Sequence, residues 1–264
     1  MRHLKYFEQL LESEHRQHPD REQQSRPQPK KGEEGIMSAA DMMDMSFDTI
    51  DFAGDWKKLF GQPSPNFDML IHGEPGAGKS TFLLKMSKYL AQTFGKVLYV
   101  SSEEFGAASL TQRLQELEIV SERLFFASDL SKPLDDYDFV IIDSVNDLGV
   151  TLSEFQKMRE TYPLTAFVVV LQHTKSGDYR GGKDWEHEVE IGAEVIDGVI
   201  YVYRNRYGVK GILDIFEPIS STDSDDEGDS EEMPDIEQAR ESAREKGKKK
   251  KRDIRENPHD GLKR

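Results

Sequence analysis

Between about residues 37 and 218 the apolar residues gather into short runs, and the stretches between those runs carry apolar positions at helical spacing. Phe139-Val140-Ile141-Ile142 and Phe167-Val168-Val169-Val170-Leu171 are continuous, with no polar face. Such runs predict strands buried on both sides of a parallel sheet. Phe67 to His72, Val97 to Ser101 and Leu124 to Ala127 read as further short strands. Phe82, Leu83, Leu84, Met86 and Leu90 line one face of a helix, as do Leu110, Leu114 and Leu117, and Thr151 to Glu160 reads as a third helix. Strands alternating with helices predict an α/β fold, a mostly parallel central sheet flanked by helices. Val199 to Tyr203 and Ile212 to Phe216, joined across Asn205 to Gly211, predict a late hairpin at the sheet edge.

On either side of this region the pattern fades. Residues 1–36 are polar, with helical spacing only at Leu4, Phe7, Leu10 and Leu11, and Gln17 to Lys31 reads as a linker. Residues 219–264 form an acidic block over Ser221 to Glu237, then a basic cluster at Lys246, Lys248 to Lys251 and Arg252. Like-charge blocks of this kind are expected to be solvated and disordered. The organisation is therefore an N-terminal segment 1–36, a folded domain 37–218 and a charged tail 219–264. A tail of this type either solubilises the chain or contacts a protein or nucleic-acid partner. Over the whole chain 36% of residues are hydrophobic and 32% charged, which fits one folded domain with polar flanks. The absence of cysteine excludes disulfides, thiolate zinc sites and cysteine nucleophiles. No run approaches a membrane span and the start is polar, so a cytoplasmic protein without membrane contact is expected. A formal charge of −15 argues against a generally nucleic-acid-binding surface and leaves room only for a local basic patch.

The most specific chemistry lies at Gly73-Glu74-Pro75-Gly76-Ala77-Gly78-Lys79-Ser80, followed by Thr81. Glycines at the first and sixth positions with Lys-Ser behind them, between a strand and a helix, fit the Walker A pattern. Backbone N–H groups of such a loop and the helix N-terminus cradle phosphate, Lys79 reaches the β- and γ-phosphates, and Ser80 takes a place on Mg²⁺. Asp143 ends the run Phe139 to Ile142 and reads as the Walker B carboxylate, a second Mg²⁺ contact. Glu103 and Glu104 follow the strand ending at Ser101, and one of them is the candidate to activate the attacking water. Gln172 and His173 end the strand Phe167 to Leu171, where an amide or imidazole could sense the γ-phosphate. Thr174 to Asp184 is glycine-rich and basic, and its Lys175 and Arg180 suit contact with nucleic-acid backbone or a neighbour's nucleotide; a plain lid remains the alternative. Arg204 and Arg206 lie between the final strands, where they could act across a subunit interface or merely form a hairpin tip.

Together these segments resemble a RecA-like P-loop ATPase core, most closely that of the RadA/Sms recombination and repair family, across about Leu70 to Phe216. The likeness rests on Gly73 to Thr81, on Val97-Leu98-Tyr99-Val100-Ser101-Ser102-Glu103-Glu104, on Val140-Ile141-Ile142-Asp143-Ser144 and on His173-Thr174-Lys175-Ser176-Gly177. Arg204-Asn205-Arg206-Tyr207-Gly208 is similar to the Lys-Asn-Arg-Phe-Gly motif of that family. KaiC and DnaB-type replicative helicases share the core more distantly. The resemblance implies ATP and Mg²⁺ as cofactors, a homo-oligomeric ring or filament with ATP between subunits, and contact with DNA, single-stranded in particular, through loops near the axis. It implies Lys79, Ser80 and Asp143 on nucleotide and metal, Glu103 or Glu104 on water, Gln172 or His173 on phosphate, and Arg204 and Arg206 at the interface or on DNA. The family's four-cysteine zinc module has no counterpart in this cysteine-free chain, the charged tail does not resemble the family's Lon-protease-like domain, and Arg204 stands where the motif has lysine. The expectation is a minimal core that hydrolyses ATP and acts on DNA in recombination, repair or replication. The alternative is a KaiC-like signalling or scaffold ATPase that binds a protein partner and no nucleic acid.

Overall fold

The structure is a computed structural model that describes residues 38–44, 47–172, 182–223 and 241. After a short helix α1 (Ala39–Met43), helix α2 (Gly54–Phe60) precedes strand β1 (Asp68–Gly73). Then come α3 (Lys79–Thr93), β2 (Val97–Val100), α4 (Ala108–Glu116), β3 (Leu124–Ala127) and β4 (Phe139–Ile142). They are followed by α5 (Val145–Leu148), α6 (Leu152–Thr161), β5 (Ala166–Gln172) and α7 (Gly182–Glu188). Strands β6 (Ile191–Ile196), β7 (Val199–Asn205) and β8 (Ile212–Asp214) complete the order. The strands form a single sheet in the order β3-β2-β4-β5-β1-β6-β7-β8. From β3 to β6 every neighbouring pair is parallel; β7 and β8 are added antiparallel.

The central strands are buried on both faces, as their unbroken apolar runs require. Alternate residues feed two cores, with Met69, Ile71, Val168 and Val170 facing α2 and α3, and Leu70, Val140, Val169 and Leu171 facing α6 and α7. On the first face Phe52, Trp56, Phe60, Phe82 and Tyr89 form an aromatic cluster, with Trp56 stacked on Tyr89 at 5.0 Å between centroids. Burial of such side chains stabilises by roughly 1.5–3 kcal/mol each, which fastens α2 to the helix that follows the phosphate loop. On the second face Phe155 of α6 meets Trp185 of α7 at 5.3 Å. Helix α6 begins in a capping box: Glu154 N–H donates to Thr151 Oγ1, and Thr151 N–H donates to the Glu154 carboxylate. Its Arg159 pairs with the buried Asp68 of β1 at 2.5 Å and donates to the Glu188 carbonyl, tying the lower edge of the sheet to both helices.

The alternating α/β pattern and the late antiparallel pair β7–β8 agree with the sequence reading. That reading did not include α1, α2, α5, α7 or β6, and α7 begins at Gly182, inside the stretch Thr174 to Asp184 that it took for a loop. The two-residue connection Asp197-Gly198, with φ of 46° and 88°, joins β6 to β7 as a tight hairpin. Asp-Gly between apolar runs is a strong hairpin signal, and Gly192 and the polar Glu194 interrupt the apolar pattern of the strand before it. Residues 220–223 lie against α2: Asp55 N–H donates to the Ser220 carbonyl, and Gly54 N–H to Asp223 Oδ1. All of the N-terminal segment 1–36 and most of the charged tail, including the basic cluster, lie outside the described residues.

Candidate nucleotide site

β1 delivers the phosphate loop at the C-terminal edge of the sheet, between β5 and β6. Gly73, at φ 153°, lies so close to the Val195 carbonyl that a Cβ would stand 2.3 Å from that oxygen. Gly76 and Gly78 adopt φ of 79° and 112°, conformations that favour glycine. Helix α3 starts at Lys79 with no side-chain cap, so its first N–H groups face the loop and await an acceptor. Gly198 at the β6–β7 turn donates to the Ala77 carbonyl at 2.8 Å, so the hairpin missed in the sequence braces the loop from behind.

Lys79 is buried and donates to the carbonyls of Gly73 and Glu74, each at 2.9 Å. Burial pulls its proton affinity below the usual lysine range, partly countered by the charges of Asp143 and Glu74. Ser80 Oγ donates to Asp143 Oδ2 at 3.1 Å, so the two proposed metal contacts already meet. Tyr99 OH donates to the same Asp143 oxygen at 2.5 Å. Burial pushes the Asp143 carboxyl upward; the bonds from Tyr99 and Ser80 and the Lys79 charge pull the other way, while Glu104 adds to the rise. The Tyr99 hydroxyl, buried beside that carboxylate, is held well above its usual range and remains a donor.

The two glutamates differ. Glu104 is ion-paired with Arg113 of α4, and its Oε2 is buried without a hydrogen-bond partner among the described residues. Glu103 is exposed, and its carboxyl is raised above the ordinary range first by the charge of Asp147, then by desolvation, Asp143 and Glu104. Gln172 pairs in register with Gly73, the first loop glycine. Its backbone N–H donates to Asn146 Oδ1 at 3.1 Å and its side-chain Nε2 to Asp147 Oδ2 at 2.7 Å. His173, Lys175 and Arg180 lie outside the described residues.

Arg204 and Arg206 are not in this cleft. β7 runs antiparallel to β6, so both lie at the far edge of the sheet, level with Ile191 and not with Gly73. The Arg204 guanidinium donates to the Glu186 carbonyl of its own chain. Tyr207 shares a hydrogen bond with Ser64 at 2.8 Å and donates to Glu190, and Asn205 donates to the Phe60 carbonyl, which fixes the tip and leaves Arg206 exposed. Tyr99, Asn146 and Asp147 are site residues that the sequence reading passed over. Tyr99 looked like strand core, and the short α5 gave no periodic pattern. A further one is Phe216, 47% exposed, whose ring lies over Gly198 and reaches toward Gly78. Its backbone is pinned by Lys85 of α3, which donates to the carbonyls of Ile215 and Glu217 at 2.6 and 2.9 Å.

Ser80 Oγ and the Asp143 carboxylate are hard oxygen donors of the kind Mg²⁺ takes beside nucleotide phosphates. The donor set fits the metal.

Fold and site resemble a RecA-like P-loop ATPase core, and the sequence is similar to that of RadA. DNA repair protein RadA of Helicobacter pylori (strain J99) is 28% identical over 182 residues, covering 56% of this chain and 39% of the relative. RadA of Aquifex aeolicus is 33% identical over 176 residues, with the same coverage of 56% and 39%. The chain thus spans about two fifths of the length of the curated relatives it matches. Flagellar accessory protein FlaH of Methanocaldococcus jannaschii has a similar fold, with a TM-score of 0.50 at 14% identity over 66% of this chain and 99% of that one. A family model described as chromatin associated protein KTI12 matches residues 69–176, the stretch that holds both the phosphate loop and Asp143. Among the described residues no helix is long and apolar enough to cross a membrane.

Proposed function

We propose that this chain binds and hydrolyses ATP with Mg²⁺ and uses the cycle to act on DNA in recombination, repair or replication. The observation that carries the proposal is the convergence of Lys79, Ser80 and Asp143 at one loop. Lys79 exchanges its two carbonyl partners for phosphate oxygens, whose charge offsets the burial that disfavours its ammonium. Ser80 and Asp143 would hold Mg²⁺, which would supply positive charge to the phosphates when bound. Glu103 takes a proton from the water that attacks the γ-phosphorus as the bond to the ADP oxygen breaks. Gln172, beside Gly73, donates to the γ-phosphate, and Phe216 offers its ring to the base.

Along the strand direction Arg204 stands three residues and Arg206 five from the level of Gly73, on the order of 10 and 17 Å, with strand β6 between. That separation supports a homo-oligomer in which a neighbour's arginines complete the site, with His173 to Gly181 and the tails as further contacts to DNA or protein. The names of the RadA relatives support DNA repair as the setting, and a cytoplasmic location follows from that reading. The domain limits proposed are 1–36, 37–218 and 219–264. A second reading, a KaiC-like scaffold ATPase acting on a protein partner, is favoured by the net charge of −15.

ATP turnover with and without single-stranded DNA, at two salt concentrations, tests the proposal. DNA stimulation that fades with salt supports it. Turnover with no stimulation and no DNA binding favours the scaffold reading, and an unchanged rate in Lys79→Ala rejects the site itself.

A further inference from the structure

Helix α5 begins immediately after Asp143 and grips the last residue of β5 twice. Ser144 caps the helix, accepting from Asp147 N–H at 3.4 Å, and its Oγ donates back to Asp147 Oδ2 at 2.5 Å. That oxygen also accepts from Gln172 Nε2 at 2.7 Å, while Asn146 Oδ1 takes the Gln172 backbone N–H. Ile142, the end of β4, pairs with Val169, so β5 continues three residues past its neighbour and reaches Gln172 opposite Gly73. On one side Gln172 therefore borders the phosphate loop; on the other, where β4 has stopped, α5 takes over its support.

We propose that Asp147 is the positioning residue for Gln172, fixing its amide in the nucleotide cleft. The proposal rests on the reading of Gln172 as the group that meets the γ-phosphate. A free glutamine samples several rotamers, and ordering it when nucleotide arrives opposes binding. A primary amide has two N–H groups. Asp147 accepts one and fixes the plane of the amide, leaving the second for phosphate. Because Ser144 holds Asp147 in turn, the chain Ser144–Asp147–Gln172 ties the amide to the residue after the Walker B carboxylate.

The test compares Asp147→Ala, Asp147→Asn, Gln172→Ala and the double variant Asp147→Ala/Gln172→Ala. ATP turnover is read together with equilibrium binding of ADP and of a non-hydrolysable ATP analogue. Asp147→Ala is expected to lower kcat about tenfold, with ADP affinity unchanged and the preference for the analogue over ADP reduced. Asp147→Asn keeps an acceptor oxygen for the amide and stays within about threefold of the parent. The double variant is no slower than Gln172→Ala alone, because the two residues act as one unit. Losses that multiply in the double variant, or a parental Asp147→Ala beside an impaired Gln172→Ala, overturn the proposal. A parental Gln172→Ala instead sinks the underlying reading of Gln172. Should Asp147→Ala not fold, Asp147→Ser, whose hydroxyl is too short to reach Nε2, replaces it. The binding measurement needs no turnover.

Discussion

Tyr99 donates a 2.5 Å hydrogen bond to the Oδ2 of Asp143, across two adjacent parallel strands. The tyrosine is fully buried, and without it the carboxylate would rely on Ser80 and the charge of Lys79 to offset burial. Tyr99→Phe removes the donor and leaves the ring. The loss of a hydrogen bond to a charged group should destabilise the protein by about 1–3 kcal/mol, seen in thermal unfolding. Asp143 then takes up a proton more readily, so inactivation on acidification should move to higher pH. The Mg²⁺ concentration needed for half-maximal turnover should also rise, and an unchanged Mg²⁺ dependence would show that Tyr99 serves packing alone.

Glu103 and Glu104 should separate cleanly. Glu104 is engaged by Arg113, so Glu104→Gln is expected to cost at most about 1 kcal/mol of stability and to leave most of the turnover. Glu103→Gln should lower turnover by about two orders of magnitude while ATP binding is retained. As a base Glu103 must be ionised, and activity falls as pH drops through its raised pKa. Asp147 is the largest cause of that rise. Asp147→Asn should therefore shift the acid limb of the rate profile to lower pH, and added salt should shrink the shift because Glu103 is exposed.

Phe216 sits on a backbone fixed by Lys85, with half its surface open beside the phosphate loop. Stacking of a base on such a ring is worth about 1–3 kcal/mol, so Phe216→Ala should weaken ATP binding about tenfold or more. Inorganic tripolyphosphate, which has no base, should bind the variant and the parent equally. Equal losses for both ligands would mean that the ring supports the loop instead.

How far the chain could be read from sequence depended on how local each signal was. The phosphate loop and Asp143 were legible because the glycines, Lys79 and Ser80 are consecutive, and a four-residue apolar run announces the carboxylate. The central strands were legible for the same reason. Tyr99 was not, since a tyrosine in an apolar run is ordinary core until the strand beside it is known. Asp147 and Gln172 are separated by 25 residues, and only the extension of β5 beyond β4 brings them together. β6 was hidden by Gly192 and the single charge of Glu194, which interrupt its apolar run, although Asp197-Gly198 marked the turn behind it. The direction of β7 could not be read at all without β6. That direction decides which edge of the sheet carries Arg204 and Arg206.

This placement leads to a test by mixing. Lys79 and Arg206 occupy opposite edges of the sheet in one chain, so one molecule cannot use both in a single site. In a head-to-tail assembly each interface takes the phosphate loop from one copy and the arginine edge from the next. Lys79→Ala and Arg206→Ala should therefore each turn over ATP poorly when alone. In an equimolar mixture that exchanges subunits freely, about a quarter of such heterologous interfaces join an intact Lys79 to an intact Arg206. Turnover should recover to a matching fraction of the parental rate, and the recovery should vanish when the mixture is diluted below the assembly concentration. A mixture with no more activity than the mean of its two components, in a sample that sedimentation shows to be assembled, would remove Arg206 from the site. Recovery that survives dilution to monomer would point to contamination and not to a shared interface.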